Sequence, residues 1–137
     1  MSKLQAVQNK AARTVLNLPP HEHVTDDMLK ELHWLKVEQR IIFKILLFAH
    51  KLFIDAAPEW FKKQLVIIDS DERLLQNFYF VSRSGRRSFS YAAPRFWNCL
   101  PREIRLLNNT DTFKARIKTV LFTNMNDIVN AAHGYAV

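Results

Sequence analysis

The chain holds 137 residues, 48% of them hydrophobic, with ten phenylalanines, two glycines and one cysteine, and a formal net charge of +7 at pH 7. That length makes one domain, or one with a small appendage, and sparse glycine beside plentiful apolar residues argues for packed helices over loops or disorder. The lone Cys99 excludes an internal disulfide and any zinc site needing two thiolates, and the longest apolar run, Ile41 to Ile54, is broken by Lys44, His50 and Lys51 and is too short to span a bilayer.

Polar, helix-forming sequence follows Met1 directly and does not read as a signal peptide. The expected setting is intracellular, in nucleus or cytoplasm, neither secreted nor in a membrane. In chain order, Lys3 to Leu16 reads as a helix with Leu4, Val7, Ala11 and Val15 on its inward face, ended by Pro19-Pro20. Thr25 is a good N-cap for a short helix reaching about Leu35, with Asp26 and Asp27 in its first turn. Val37 to Ile54 is the strongest helix. Its stripe is Val37, Ile41, Ile45, Phe48 and Leu52, widened by Ile42, Leu46, Ala49 and Phe53. Pro58 starts another short helix through Leu65, and Val66 to Gln76 reads as loop.

Phe78 to Val81 and Ser88 to Tyr91 alternate like two strands of a hairpin, with Arg83-Ser84-Gly85-Arg86 as the turn. Ala92 to Leu100 reads as a short helix and Pro101 starts another through Leu107. Thr110 caps the last one, with Phe113, Ile117, Val120 and Leu121 inward. The tail after Thr123 carries no clear pattern and reads as frayed. The expected fold is mainly α, a helical domain around one long central helix with a small β-hairpin in the second half. Its parts are a helical portion over 1–66, a basic hairpin-and-helix portion over 67–123, and a flexible tail over 124–137.

The charge is unevenly placed. Residues 83–118 carry nine basic and two acidic side chains, and the rest of the chain carries eleven of each. Concentration of the whole excess in one segment favours a localised polyanion contact. Arginines on a tight turn beside Phe89 and Tyr91 suit phosphate contact with base stacking, although a solvated basic hairpin with core aromatics reads equally well.

Other constellations read as structural. Asp26-Asp27 fits helix capping better than a two-metal polymerase pair. His21 and His23 lack a third ligand nearby. His33 beside Trp34 reads as a locally bonded core residue. Cys99 has no recognisable base and reads as a small buried residue. Trp97 reads as buried, with Asn98 or Arg95 satisfying nearby backbone groups. No nucleophile–base pair, metal cluster or phosphate loop is visible, so neither an enzyme nor a cofactor is expected.

Two phrases are more specific. Leu32-His33-Trp34-Leu35 leads into Gln39-Arg40-Ile41, and Arg86-Arg87-Ser88-Phe89-Ser90-Tyr91-Ala92-Ala93-Pro94-Arg95-Phe96-Trp97-Asn98-Cys99-Leu100-Pro101 follows later. In this order, with Leu4 to Arg13 before them and Phe113 to Lys118 after, they resemble the segment that follows the polymerase domain in non-LTR (LINE-type) retrotransposon reverse transcriptases, the jockey-like and chicken-repeat-like branch. Lys36 departs from a position where proline is common, and Phe96 and Cys99 replace more usual Leu and Ser.

The resemblance implies a role in holding element RNA and target DNA during target-primed reverse transcription. It also implies that the endonuclease, fingers, palm and catalytic aspartates would lie before Met1, leaving this fragment without the RNA-directed DNA polymerase chemistry. The leading expectation is a non-catalytic RNA- or DNA-binding remnant of such a transposable element. Arg83, Arg86, Arg87, Arg95, Lys114, Arg116 and Lys118 would contact phosphates, and Phe89 or Tyr91 would stack if exposed. The alternatives are a helical protein-interaction module, docking the missing polymerase domain or another protein through its first helix, and a relic without function.

Overall fold

The computed structural model describes residues 2–134. Its contacts divide the chain into two compact units, Met1–Ile41 and Ile42–Val137.

In the first unit, helix α1 spans Ser2–Val15 and α2 spans Asp26–Glu31. The small side chain of Ala12 is fully buried and clusters with Val24 and Leu29, with Met28, Leu32 and Trp34 packed around them. Two glutamines fix the face that α1 presents. Gln8 Nε2 donates to the Leu35 carbonyl at 2.8 Å, and Gln5 Oε1 accepts from the Val37 amide at 3.0 Å. The expected inward stripe is therefore turned outward, and Leu4, Val7 and Val15 are exposed. Apolar spacing sets the stripe, but hydrogen-bond demand from residues 35 and 37 sets the face, because a polar backbone group buried without a partner costs more than an exposed aliphatic side chain.

Thr25 caps α2, its Oγ1 accepting from the Met28 amide at 3.4 Å. Both helices end in the same way. The Leu18 amide reaches the Arg13 carbonyl and the Trp34 amide reaches the Leu29 carbonyl, while Asn17 (φ 52°) and His33 (φ 54°) adopt the left-handed conformation between. With glycine so scarce, Asn and His take the position glycine usually fills. His33 is thus an exposed helix terminator and not a core residue.

Helix α3, Val37–Phe53, is the longest of the described elements, and the boundary between the units falls inside it. The Gln39 side chain caps its start by accepting from the Lys36 amide at 2.8 Å. Beyond that boundary, its buried residues are Ile42, Leu46, Ala49 and His50, while Ile41 and Phe48 are exposed. Ile42, Leu46 and Ala49, the row that widens the expected stripe, are thus its buried line, and the row through Ile41 and Phe48 lies about one residue, roughly 100°, away from it.

The second unit continues with α4 (Glu59–Lys62), a hairpin of β1 (Ile67–Asp69) and β2 (Leu74–Leu75), and a 3₁₀ turn at Gly85–Arg87. Helices α5 (Phe89–Asn98), α6 (Arg102–Arg105), α7 (Thr110–Thr123) and α8 (Met125–Gly134) complete it. Its core gathers Leu46, Leu75, Trp97, Phe113, Ile117 and Leu121. Trp97 stacks on Phe53 with ring centroids 5.1 Å apart and meets Phe113 at 5.8 Å.

The chain is therefore mainly α with one small hairpin, but the hairpin is not where the alternation placed it. The strands are antiparallel, with Ile67 opposite Leu75 and Asp69 opposite Leu74, inside the stretch expected as loop. The Asn98 side chain acts as a further edge partner, accepting from the Leu75 amide at 3.0 Å and donating to its carbonyl at 2.7 Å. Ser88 to Tyr91 is not a strand. Ser88 precedes α5, and Phe89, Ala93 and Trp97 lie at successive i, i+4 positions. Phe89 meets Phe61 at 5.0 Å, while Ala93 and Trp97 are buried. Four alternating residues fit either period, and packing of the i, i+4 row decides for helix.

Two capping and end assignments also shift. Asn109, not Thr110, caps α7, its Oδ1 accepting from the Asp111 and Thr112 amides at 2.9 Å each. The expected flexible tail is a helix as far as Gly134, seated by buried Ile128 and Ala132, while residues 135–137 lie outside the described residues. An i, i+4 pair alone makes too short a stripe to stand out in the sequence.

Candidate nucleic-acid interface

The basic turn is built by local hydrogen bonds and one close approach. Ser82 opens it, its carbonyl accepting from the Arg86 amide at 3.2 Å and its Oγ from the Gly85 amide at 3.0 Å. The Arg87 amide closes on the Ser84 carbonyl at 3.1 Å. Gly85 is required by contact and not by its φ angle, since a Cβ there would sit 2.7 Å from the Phe80 Cβ. Phe80 in turn packs against Tyr91 with centroids 6.2 Å apart. Gly85→Ala should therefore displace Phe80 and cost about 1–3 kcal/mol, as overpacking does, measurable as a lowered urea midpoint.

The turn carries Arg83, Arg86 and Arg87 on exposed positions. Among the described residues none of the three has an ion-pair partner. Of the other cations of the basic segment, four are paired or buried. Arg102 pairs with Glu72 at 2.7 Å. Arg105 is buried, donates to the carbonyls of Glu72, Asn98 and Leu100, and lies 3.6 Å from the Glu72 carboxylate. Glu72, outside the basic segment in sequence, neutralises part of it in space.

Lys114 pairs with Asp111 at 2.9 Å on the surface, a contact worth at most about 1 kcal/mol and open to competition from a phosphate. Arg116 is exposed and Lys118 half-buried, both on α7, an element separate from the turn.

Arg95 corrects the expectation. It is 3% exposed, so its guanidinium does not reach a phosphate. It lies 3.6 Å above the Tyr91 ring and donates to the Phe78 and Tyr91 carbonyls, at 3.1 Å each. The expected stackers are withdrawn as well. Phe89 packs on Phe61, and Tyr91 is covered by Arg95 on one face. Tyr79 and Val81, expected in a strand, are instead the exposed apolar groups beside the turn.

Elsewhere the site chemistry is sparse. Burial pushes the Cys99 thiol above its ordinary range, which disfavours the thiolate. Asp26 and Asp27 lie in the first turn of α2 and pair with Lys36 and Lys30. Among the described residues no three His, Cys, Asp or Glu side chains group as metal ligands, and no helix is long and apolar enough to cross a membrane.

No family model, no curated protein and no solved structure matches this chain.

Proposed function

We propose that the chain is a non-catalytic nucleic-acid-binding module, derived from the post-polymerase segment of a non-LTR retrotransposon reverse transcriptase. The observation that carries the binding reading is the turn Ser82–Arg87, where three exposed arginines, without carboxylate partners among the described residues, stand on a locally fixed backbone. Guanidinium groups bind phosphate bidentately, and unpaired ones bind it without first giving up a partner. The retroelement origin rests on the ordered motifs alone.

The double variant Arg86→Glu, Arg87→Glu tests the binding reading. Fluorescence anisotropy with labelled RNA and DNA over a salt series should show about 10-fold or greater weakening and a shallower dependence of log affinity on log salt. Circular dichroism should be unchanged, because both side chains are exposed. Wild-type affinity in the double variant would remove the turn from the interface.

A second reading, a protein-docking module, is favoured by the exposed aliphatic stripe Leu4, Val7 and Val15 on α1.

A further inference from the structure

Residues 78–81 run between β2 and the basic turn outside any strand. Their side chains nevertheless alternate. Phe78 and Phe80 are half-buried, while Tyr79 is 73% and Val81 98% exposed. Tyr79 and Val81, two positions apart, put two exposed apolar side chains next to the basic turn.

The backbone on both sides of Tyr79 is held. The Phe78 carbonyl accepts from Arg95 Nη1 at 3.1 Å, and Phe80 is wedged against Gly85 and Tyr91. The ring itself is also backed. The Arg95 guanidinium lies 5.9 Å from the Tyr79 centroid and 3.6 Å from that of Tyr91. Among the described residues its buried Nε and Nη2 have no hydrogen-bond partner and no carboxylate pairs with it. An arginine stays charged in a protein, so this is a cation held in place by two tyrosine rings and two carbonyls. It positions Tyr79 without reaching the surface.

The result is a pre-set aromatic platform four residues before Arg83. An extended chain of that length spans at most about 14 Å, so a base resting on the platform keeps its neighbouring phosphates within reach of the arginines. Base stacking on an exposed ring needs a base whose face is free. Duplex bases already stack on one another, whereas single-stranded bases do not have to be unpaired first.

We propose that Tyr79 is a base-stacking residue and that the ligand class of the basic turn is single-stranded nucleic acid. This rests on the binding reading above and adds the form of nucleic acid to it. The phosphates lie on Arg83, Arg86 and Arg87, and one base lies on the exposed face of Tyr79.

The test uses the full chain with labelled oligo-uridine, oligo-thymidine and a mixed-sequence duplex, over a salt series. Tyr79→Ala should weaken both single-stranded probes about 10-fold, with the salt slope and duplex affinity unchanged, and Tyr79→Phe should restore the binding. Single-stranded affinity unchanged in Tyr79→Ala, while Arg86→Glu, Arg87→Glu still weakens it, would overturn the stacking inference and leave the basic turn standing. Absence of wild-type binding to all three probes would overturn both.

Discussion

Trp97→Ala should unfold the unit Ile42–Val137 or leave it about 3–5 kcal/mol less stable, the usual cost of removing a buried tryptophan. Trp97 is fully buried and touches three parts of the core at once. Its ring stacks on Phe53 at the end of α3 and meets Phe113 of α7, and its Nε1 donates to the Arg73 carbonyl at 2.6 Å. Arg73 continues the connection, its guanidinium donating to the carbonyls of Arg105 and Leu107 at 2.9 Å and to Asn108 Oδ1.

Truncation thus opens a cavity and also leaves the Arg73 carbonyl without its donor. Total stabilities of single domains are about 5–15 kcal/mol, so the loss takes a large part of the whole. Urea denaturation followed by far-UV circular dichroism measures it. Trp34→Ala is the comparison, since Trp34 is only half-buried beside Ala12, Val24 and Leu29, and should cost clearly less. Equal losses in the two variants would contradict the placement of Trp97 at the centre of this core.

The helical class and most helix positions were legible because apolar periodicity and capping residues are local signals. Thr25, Pro58 and Pro101 each stand at or beside a helix start where the sequence put one. What the sequence hid was set by partners far along the chain. The face of α1 depends on Gln5 and Gln8 reaching residues 37 and 35. The hairpin has strands of only three and two residues and leans on the Asn98 side chain, 23 positions away, so no run of alternation announces it.

The same division holds in the candidate site. The basic turn was legible, because arginines clustered around a glycine are a local feature. The burial of Arg95 was not. Arginine is rarely buried, and only the Tyr91 ring and the Phe78 carbonyl bring it inside. Once Arg95 covers Tyr91 and Phe61 covers Phe89, the exposed ring left beside the turn is Tyr79.

Acid should destabilise the unit Ile42–Val137 well before its carboxylates titrate, and His50 should be the cause. Its side chain is fully buried, stacks on Phe113 at 4.1 Å between centroids and 8° between planes, and among the described residues both ring nitrogens are without a hydrogen-bond partner. Burial, and secondarily the positive charge of Arg73, lowers its pKa from 6.5 to about 4.

The sign follows from which state takes the proton. Above pH 6.5 the imidazole is neutral in folded and unfolded chains alike, and this residue gives no pH dependence. Between 6.5 and about 4 the unfolded chain binds a proton that the folded chain refuses, so stability falls as pH falls. The full loss is on the order of 3 kcal/mol, most of it reached by pH 4 and the remainder just below. Asp55, held below its ordinary range by its hydrogen bond to Lys62, loses its contribution only at lower pH, outside this window.

His50→Phe keeps a ring against Phe113 and removes the titrating nitrogens, and His50→Leu removes the ring as well. Either should flatten the stability profile between pH 6.5 and 4.5, whatever it does to stability at neutral pH. That makes the slope a cleaner readout than the midpoint, because the extra ring atom of phenylalanine carries its own packing cost. Urea midpoints measured at half-unit steps of pH decide it. A slope in the variants as steep as in the wild type would assign the acid sensitivity to another group.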